Sequence, residues 1–381
     1  MRMALRKYIP ALVYIAMTSL IMDTAANDTL PIFIGTYTTK NSRGIYRTQL
    51  DLNTGVLAAP VLAARIKNPS FLALHPNRRW LYAVSETDSF EGKATGGVTA
   101  LTMDASTGAL TELNRVTTGG AAPCHLAVDA TGTRLVVANY MDGNATLFPI
   151  ESDGKLGVSR QKLQFSGSGP NKQRQCSPHV HGVIFDSANR FALITDLGTD
   201  RIMLYRLTDT LQPHEPPFVC AAPGAGPRHA VFAPDGRHLF VINEMASTVT
   251  VYAWDAVRGL PTPHQTISTL PLNYSNNNTC AEIAVHPSGH FVYASNRGHD
   301  SIAVFAFDPR SAQLTLLQHQ PTGGRAPRHF TLDPSGRWLL AANQKSDNIV
   351  VFGVDPTSGR LVPTGHSIDV PMPVCVLPVD R

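Results

Sequence analysis

The chain of 381 residues is 43% hydrophobic and 16% charged, enough apolar material for a large core and too little charge for a disordered protein. Its formal net charge of +4 comes without a basic run, and aromatic residues make up only 7%. Both the electrostatic footprint and the stacking platform of a nucleic-acid binder are therefore lacking, and no nucleic-acid partner is expected. The cysteines Cys124, Cys176, Cys220, Cys280 and Cys375 are far apart, with no CxxC pair and no His at zinc-finger spacing. They read mostly as small buried side chains. One disulfide is compatible with an oxidising compartment, but an odd count gives no framework.

Arg2, Arg6 and Lys7 precede an apolar stretch from Ile9 to Met22, and small residues follow up to Ala26. That pattern predicts a secretory signal over residues 1–26, cleaved near Ala26, and a mature domain over 27–381 in the periplasm or outside the cell. The stretch is too short and interrupted for a spanning helix, so no stable membrane span is expected after cleavage. An uncleaved anchor is the first alternative; a start codon placed too early, with a cytoplasmic chain, is the second.

From residue 69 onward the chain repeats. Six segments open at Pro69-Ser-Phe71, Pro123-Cys-His125, Pro178-His-Val-His181, Pro227-Arg-His229, Cys280-Ala-Glu282 and Pro327-Arg-His329. Each continues as a short apolar strand, a turn, a second strand, a polar turn and a third strand, with the blade-like period of about 50 residues. Within each repeat, Phe71 to Ser85, His125 to Asn139, Gly182 to Asp196, His229 to Asn243, Glu282 to Asn296 and His329 to Asn343 all span 14 positions. Turns such as Pro234-Asp-Gly-Arg237 suit a tight reversal, because Pro fixes φ and Gly accepts positive φ. Pro373-Val-Cys375 begins a seventh repeat at the C-terminus, and Ile32-Phe-Ile34 and Gly44-Ile-Tyr46 supply its remaining strands from the N-terminus. The predicted fold is all-β: a seven-bladed β-propeller of four-stranded blades, closed by pairing the two terminal strands, so that the ring has no free seam. A monomer is expected.

Repetition separates frame from chemistry. Asn139, Asn243, Asn296 and Asn343 recur at the end of the second strand and read as structural, as do the turn arginines Arg134, Arg237 and Arg337. His125, His229 and His329 share a column and admit both readings. Two columns vary from blade to blade: Glu86, Tyr140, Leu197, Glu244, Arg297, Gln344, and Ser70, Cys124, His181, Arg228, Ala281, Arg328. First and second strands run antiparallel, so both columns fall at one end of the disc around the central channel. The residues converging there are His179, His181, Arg228, His229, Glu244, Arg297, Arg328 and His329, with a single carboxylate among them. Planar guanidinium donors suit carboxylate or phosphate, which predicts a small anionic ligand. The competing expectation is that Arg and Glu merely pair across blades. His179-x-His181 could place two rings on one side of a strand to bind metal, but further ligands are not evident, so no metal or cofactor is expected. The loop Ser166 to Arg174 enters the same face and is read as an ordinary surface loop rather than a polar lid. The Gly-rich segments before first strands lack a following helix and carry no P-loop.

Ile34-Gly-Thr-Tyr37, Val137-Ala-Asn-Tyr140, Pro178-His-Val-His181, Asp196-Leu-Gly-Thr-Asp-Arg201, Gly226-Pro-Arg-His229 and Asn296-Arg297 resemble the seven-bladed lactonase family. That family includes propeller-type 6-phosphogluconolactonases and the fungal carboxy-muconate lactonising enzyme. The resemblance runs over nearly the whole chain after the signal. It implies working residues at His181 (His179 matching almost as well), Arg228, Glu244 and Arg297; His179, His229, Arg328 and His329, which the blade comparison brings to the same rim, are expected to bind substrate. The implied chemistry is metal-free hydrolysis of a sugar lactone, most simply 6-phosphogluconolactone, with Glu244 or His181 as the base. A lactone-forming cycloisomerase, a lactonase for an unphosphorylated substrate, a calcium-dependent gluconolactonase and a non-catalytic binding propeller are the alternatives. The signal peptide sits uneasily with a cytoplasmic intermediate as substrate.

Overall fold

The computed structural model describes residues 29–104 and 107–380; the predicted signal segment lies outside them. The described residues contain strands and no helix, arranged as seven sheets of four strands each. Counting the blade closed by the two termini as blade 1, blade 5 has Pro227–Phe232 innermost, followed outward by His238–Asn243, Thr248–Asp255 and Leu260–Ser268. The innermost strands of consecutive blades contact one another in turn, and the last returns to the first, which closes the ring.

Closure is made as the split repeat predicts. The C-terminal strand Pro373–Pro378 pairs antiparallel with Thr29–Thr36, with Phe33 opposite Leu377 and Ile34 opposite Val376. Ile45–Asp51 and Val61–Ala64 complete that blade.

The core consists of seven seams rather than one centre. Each apolar cluster draws on two neighbouring blades; Phe240, Ile242, Val249 and Val251 of blade 5 meet Ile283, Val292 and Phe305 of blade 6. Six further clusters repeat the arrangement around the ring. A middle strand is therefore covered on both faces, and His238–Asn243 is buried at every position. This explains why second strands read as continuous apolar runs instead of alternating ones. The recurrent asparagines tie the second strand to its surroundings. Asn243 Nδ2 donates to Thr248 and Thr250 Oγ1, both at 3.0 Å, and Asn343 Nδ2 to the Thr322 carbonyl at 3.1 Å. Cys124, Cys280 and Cys375 are buried, Cys176 and Cys220 exposed, and all five are unpaired.

Candidate active site

The equal spacing within repeats becomes register: Pro123 pairs with Asn139, Val180 with Asp196, Pro227 with Asn243 and Pro327 with Asn343. Both variable columns therefore meet at one end of the disc. A β-bulge interrupts each of these pairs directly afterwards, leaving Cys124, His181, Arg228 and Arg328 without a partner across the ladder. Strict alternation would send Arg228 and His229 to opposite faces; the bulge re-aims the first of each such pair so that both approach the axis. At the matching ring position of blade 4, Gly182 takes the place of a side chain. A Cβ there would stand 2.6 Å from the Arg228 carbonyl oxygen and 2.8 Å from Thr195 Oγ1.

The mouth of the channel is a cavity of about 290 Å³, lined among others by Glu86, Tyr140, His181, Glu244, Arg297 and Arg328. Glu244 is its hub. Arg174 Nη2 donates to Oε1 at 2.7 Å, while Arg297 Nη2 and Arg228 Nε lie 2.9 and 3.0 Å from Oε2. The Arg228 Nε contact is an ion pair without hydrogen-bond alignment, and Nη1 of the same side chain donates to the Ala281 carbonyl at 2.5 Å. Burial opposes ionisation of Glu244, but Arg297, Arg228 and Arg174 outweigh it and hold its pKa at about 2. Blade-to-blade ion pairing, the rival expectation, thus accounts for part of the cluster.

It does not account for Arg328 or His181. Arg328 stacks its guanidinium 5.4 Å from the Tyr37 ring centroid and has no ion-pair or hydrogen-bond partner among the described residues. The Tyr37 hydroxyl instead donates to Glu86, 2.9 and 2.8 Å from its two carboxylate oxygens. His181 is buried beside Tyr140, with ring centroids 5.6 Å apart, and its Nδ1 has no partner. Burial first, and then the positive charge of Arg228, depresses the His181 pKa well below the ordinary imidazole range. The ring is neutral at pH 7.

Beneath the mouth lies a second layer with a void of about 10 Å³, room for one water at most. There His229 Nδ1 and His329 Nε2 approach Glu282 Oε2 at 3.0 and 3.5 Å, and Phe71 and His125 pack against the histidines. His229 and His329 thus form the floor beneath the mouth. His179 does not point alongside His181. Its ring stacks on Tyr140 and its Nδ1 lies 3.0 Å from the Tyr140 carbonyl oxygen. No group of three or more His, Cys, Asp or Glu side chains placed to hold a metal ion occurs among the described residues.

Two sequence expectations need correction. The axis carries three carboxylates, Glu86, Glu244 and Glu282, rather than one. Glu282 was hidden because it occupies the column that holds histidine in three other blades. The loop Ser166 to Arg174 is more than an ordinary surface loop, since Arg174 reaches Glu244 and comes within 3.3 Å of the Tyr140 hydroxyl. Its neighbour Gln175 anchors it to Asp200 and the Leu197 carbonyl, both at 2.8 Å. A larger hollow of about 590 Å³ lies at the opposite end of the disc; it contains no histidine and none of these residues.

With the histidines neutral, four guanidiniums face Glu86 and Glu244, and the positive surplus persists when Glu282 is included. The mouth therefore attracts small anions. The family model for lactonases of the 7-bladed β-propeller type matches residues 31–378. The chain belongs to that lactonase family. It is 36% identical over 344 residues to a 6-phosphogluconolactonase of Bacillus subtilis, covering 90% of this chain and 97% of the relative. Among solved structures, the periplasmic gluconolactonase PpgL of Pseudomonas aeruginosa superposes with a TM-score of 0.88 at 32% identity, over 92% of this lactonase and 99% of its own chain. A Bacteroides fragilis protein gives 0.88 at 34% identity, over 94% and 99%. No helix among the described residues is long and apolar enough to cross a membrane.

Proposed function

We propose that the chain hydrolyses 6-phosphoglucono-1,5-lactone at the channel mouth, using His181 as base and Arg328 to hold the oxyanion. The observation that carries this reading is a neutral, unpartnered imidazole and an unpaired guanidinium lining one cavity. Buried polar groups ordinarily find partners, and the exceptions call for an explanation such as a ligand or a catalytic role.

In the proposed step, His181 takes a proton from water as its oxygen bonds to the lactone carbonyl carbon. The developing oxyanion is held by Arg328, a donor type whose removal typically costs about 10²–10³ in rate. The carbon–ring-oxygen bond then breaks, and the imidazolium returns its proton to the departing oxygen, giving the open-chain hydroxy acid. Glu244, pinned by three guanidiniums, is a poor base; its part is to orient Arg228 and Arg297. His181 is therefore the proposed base rather than Glu244.

A second reading, glucono-1,5-lactone as substrate, is favoured by the export pattern over residues 1–26, which also supports a site of action outside the cytoplasm. Freshly generated phosphorylated and unphosphorylated lactones, assayed with residues 27–381 against an enzyme-free blank, decide between them. Saturable hydrolysis with the higher kcat/KM on the phosphorylated lactone is expected. A preference for the unphosphorylated one would establish the second reading, and blank rates on both would remove the lactonase reading altogether.

A further inference from the structure

Next to the channel mouth is another hollow of about 430 Å³, lined by Asn277, Thr279, Arg297, Arg325, Gln344 and Lys345 among others. It opens at the same end of the disc, and Thr279 and Arg297 line both spaces. Arg297 is the wall between them. One of its faces is turned to Glu244, as its 2.9 Å ion pair shows.

Arg325 and Lys345 come from different loops but are stitched together by the backbone. Lys345 N–H donates to the Arg325 carbonyl at 3.0 Å, Gln344 N–H to the Ala326 carbonyl at 3.0 Å, and Arg325 N–H to Ser346 Oγ at 2.8 Å. Ala326 takes φ of 56°, a left-handed conformation that costs a non-glycine residue energy. Neither cationic side chain has an ion-pair or hydrogen-bond partner among the described residues, and both are exposed. The acid in the hollow, Asp300, already accepts the backbone N–H groups of Gly298 and Ala326 through Oδ1, at 3.1 and 2.8 Å. Two cations lining one hollow on backbone-linked loops, with Asn277 and Gln344 among its other lining residues, match a compact dianion better than a single carboxylate. Arg supplies paired planar donors and Lys a point charge.

We propose that this hollow is a phosphate-ester subsite, in which Arg325 and Lys345 hold the terminal phosphate of the lactone while its carbonyl lies beyond Arg297 in the channel mouth. The inference rests on the lactonase reading and adds the determinant of substrate choice. Placement at the rim suits it: the reacting end is buried among the axial residues, and the charged tail remains near solvent.

The test compares wild type with Arg325→Ala/Lys345→Ala. The ratio of kcat/KM for phosphorylated over unphosphorylated gluconolactone should fall at least tenfold in the double variant. Calorimetric titration with 6-phosphogluconate, which needs no turnover, should show at least tenfold weaker binding, whereas gluconate should bind both proteins with affinities within twofold of each other. Equal 6-phosphogluconate affinity in the two folded proteins would overturn the subsite. Absence of turnover in wild type on either lactone would instead defeat the lactonase reading, and the titration would still decide the subsite.

Discussion

Replacing Glu244 by Gln is expected to lower kcat/KM by about 10²–10³ and to cost about 3–5 kcal/mol of stability. Glu244 is buried, and its carboxylate is shared by Arg174, Arg228 and Arg297 at 2.7 to 3.0 Å. Gln keeps the shape and removes the charge, which leaves Arg228 and Arg297 buried without their counter-ion. Removing one partner of a buried ion pair is far costlier than never having made the pair. The kinetic loss follows because Arg228 and Arg297 would then repel each other and shift. Steady-state kinetics and a thermal melt on the same preparation check both parts. Wild-type kinetics with an unchanged melt would show that the hub neither holds nor orients the arginines.

Acidification below pH 6.5 should destabilise the fold steeply. His125, His181, His229 and His329 are all depressed below the ordinary imidazole range, burial being the first cause in each. Glu282 opposes this at His125 and His329, and Arg228 reinforces it at all four. In the unfolded chain these side chains protonate near pH 6.5. In the folded chain they stay neutral to lower pH, so the unfolded state binds more protons and stability falls as pH falls. Each such histidine contributes at most about 1.4 kcal/mol per pH unit while its folded form remains neutral, so four acting together give a slope of at most about 5.6 kcal/mol per unit. Glu244 acts in a lower window. Its folded pKa of about 2 lies below the ordinary glutamate value of 4.5, so its stabilisation is intact above pH 4.5 and lost as pH falls from there through 2. Melting temperatures at pH 8, 7, 6 and 5 should be level at first and then drop sharply. A flat profile from pH 7 to 5 would mean that the axial histidines are not buried as neutral rings.

The architecture was legible because repetition does not require knowledge of any contact. A constant spacing of 14 positions predicts antiparallel register, and Pro227 opposite Asn243 is that prediction made spatial. The split seventh repeat likewise announced the pairing of Pro373–Pro378 with Thr29–Thr36. Comparing blades found His181, Arg228, Glu244, Arg297 and Arg328, which the fold gathers at one mouth. Residues with no column, or in a column that admits two readings, carry no such mark. Arg174 lies in a loop without counterpart in other blades, so nothing marked it apart from its charge. Glu282 sits in a column whose histidines admitted both a structural and a functional reading, and Glu86 stood in the variable column without an obvious partner. The bulges were invisible for another reason. They arise from backbone geometry at the inner strand, and alternation predicts the opposite direction for one residue of each pair.

Whether His181, at the axis, carries the hydrolysis is read from proton release from fresh lactone by wild type and His181→Asn. Saturable release by the wild type and a rate at least 10²-fold lower for the variant are expected, with both proteins melting at similar temperatures. Equal rates from the two proteins would contradict that role.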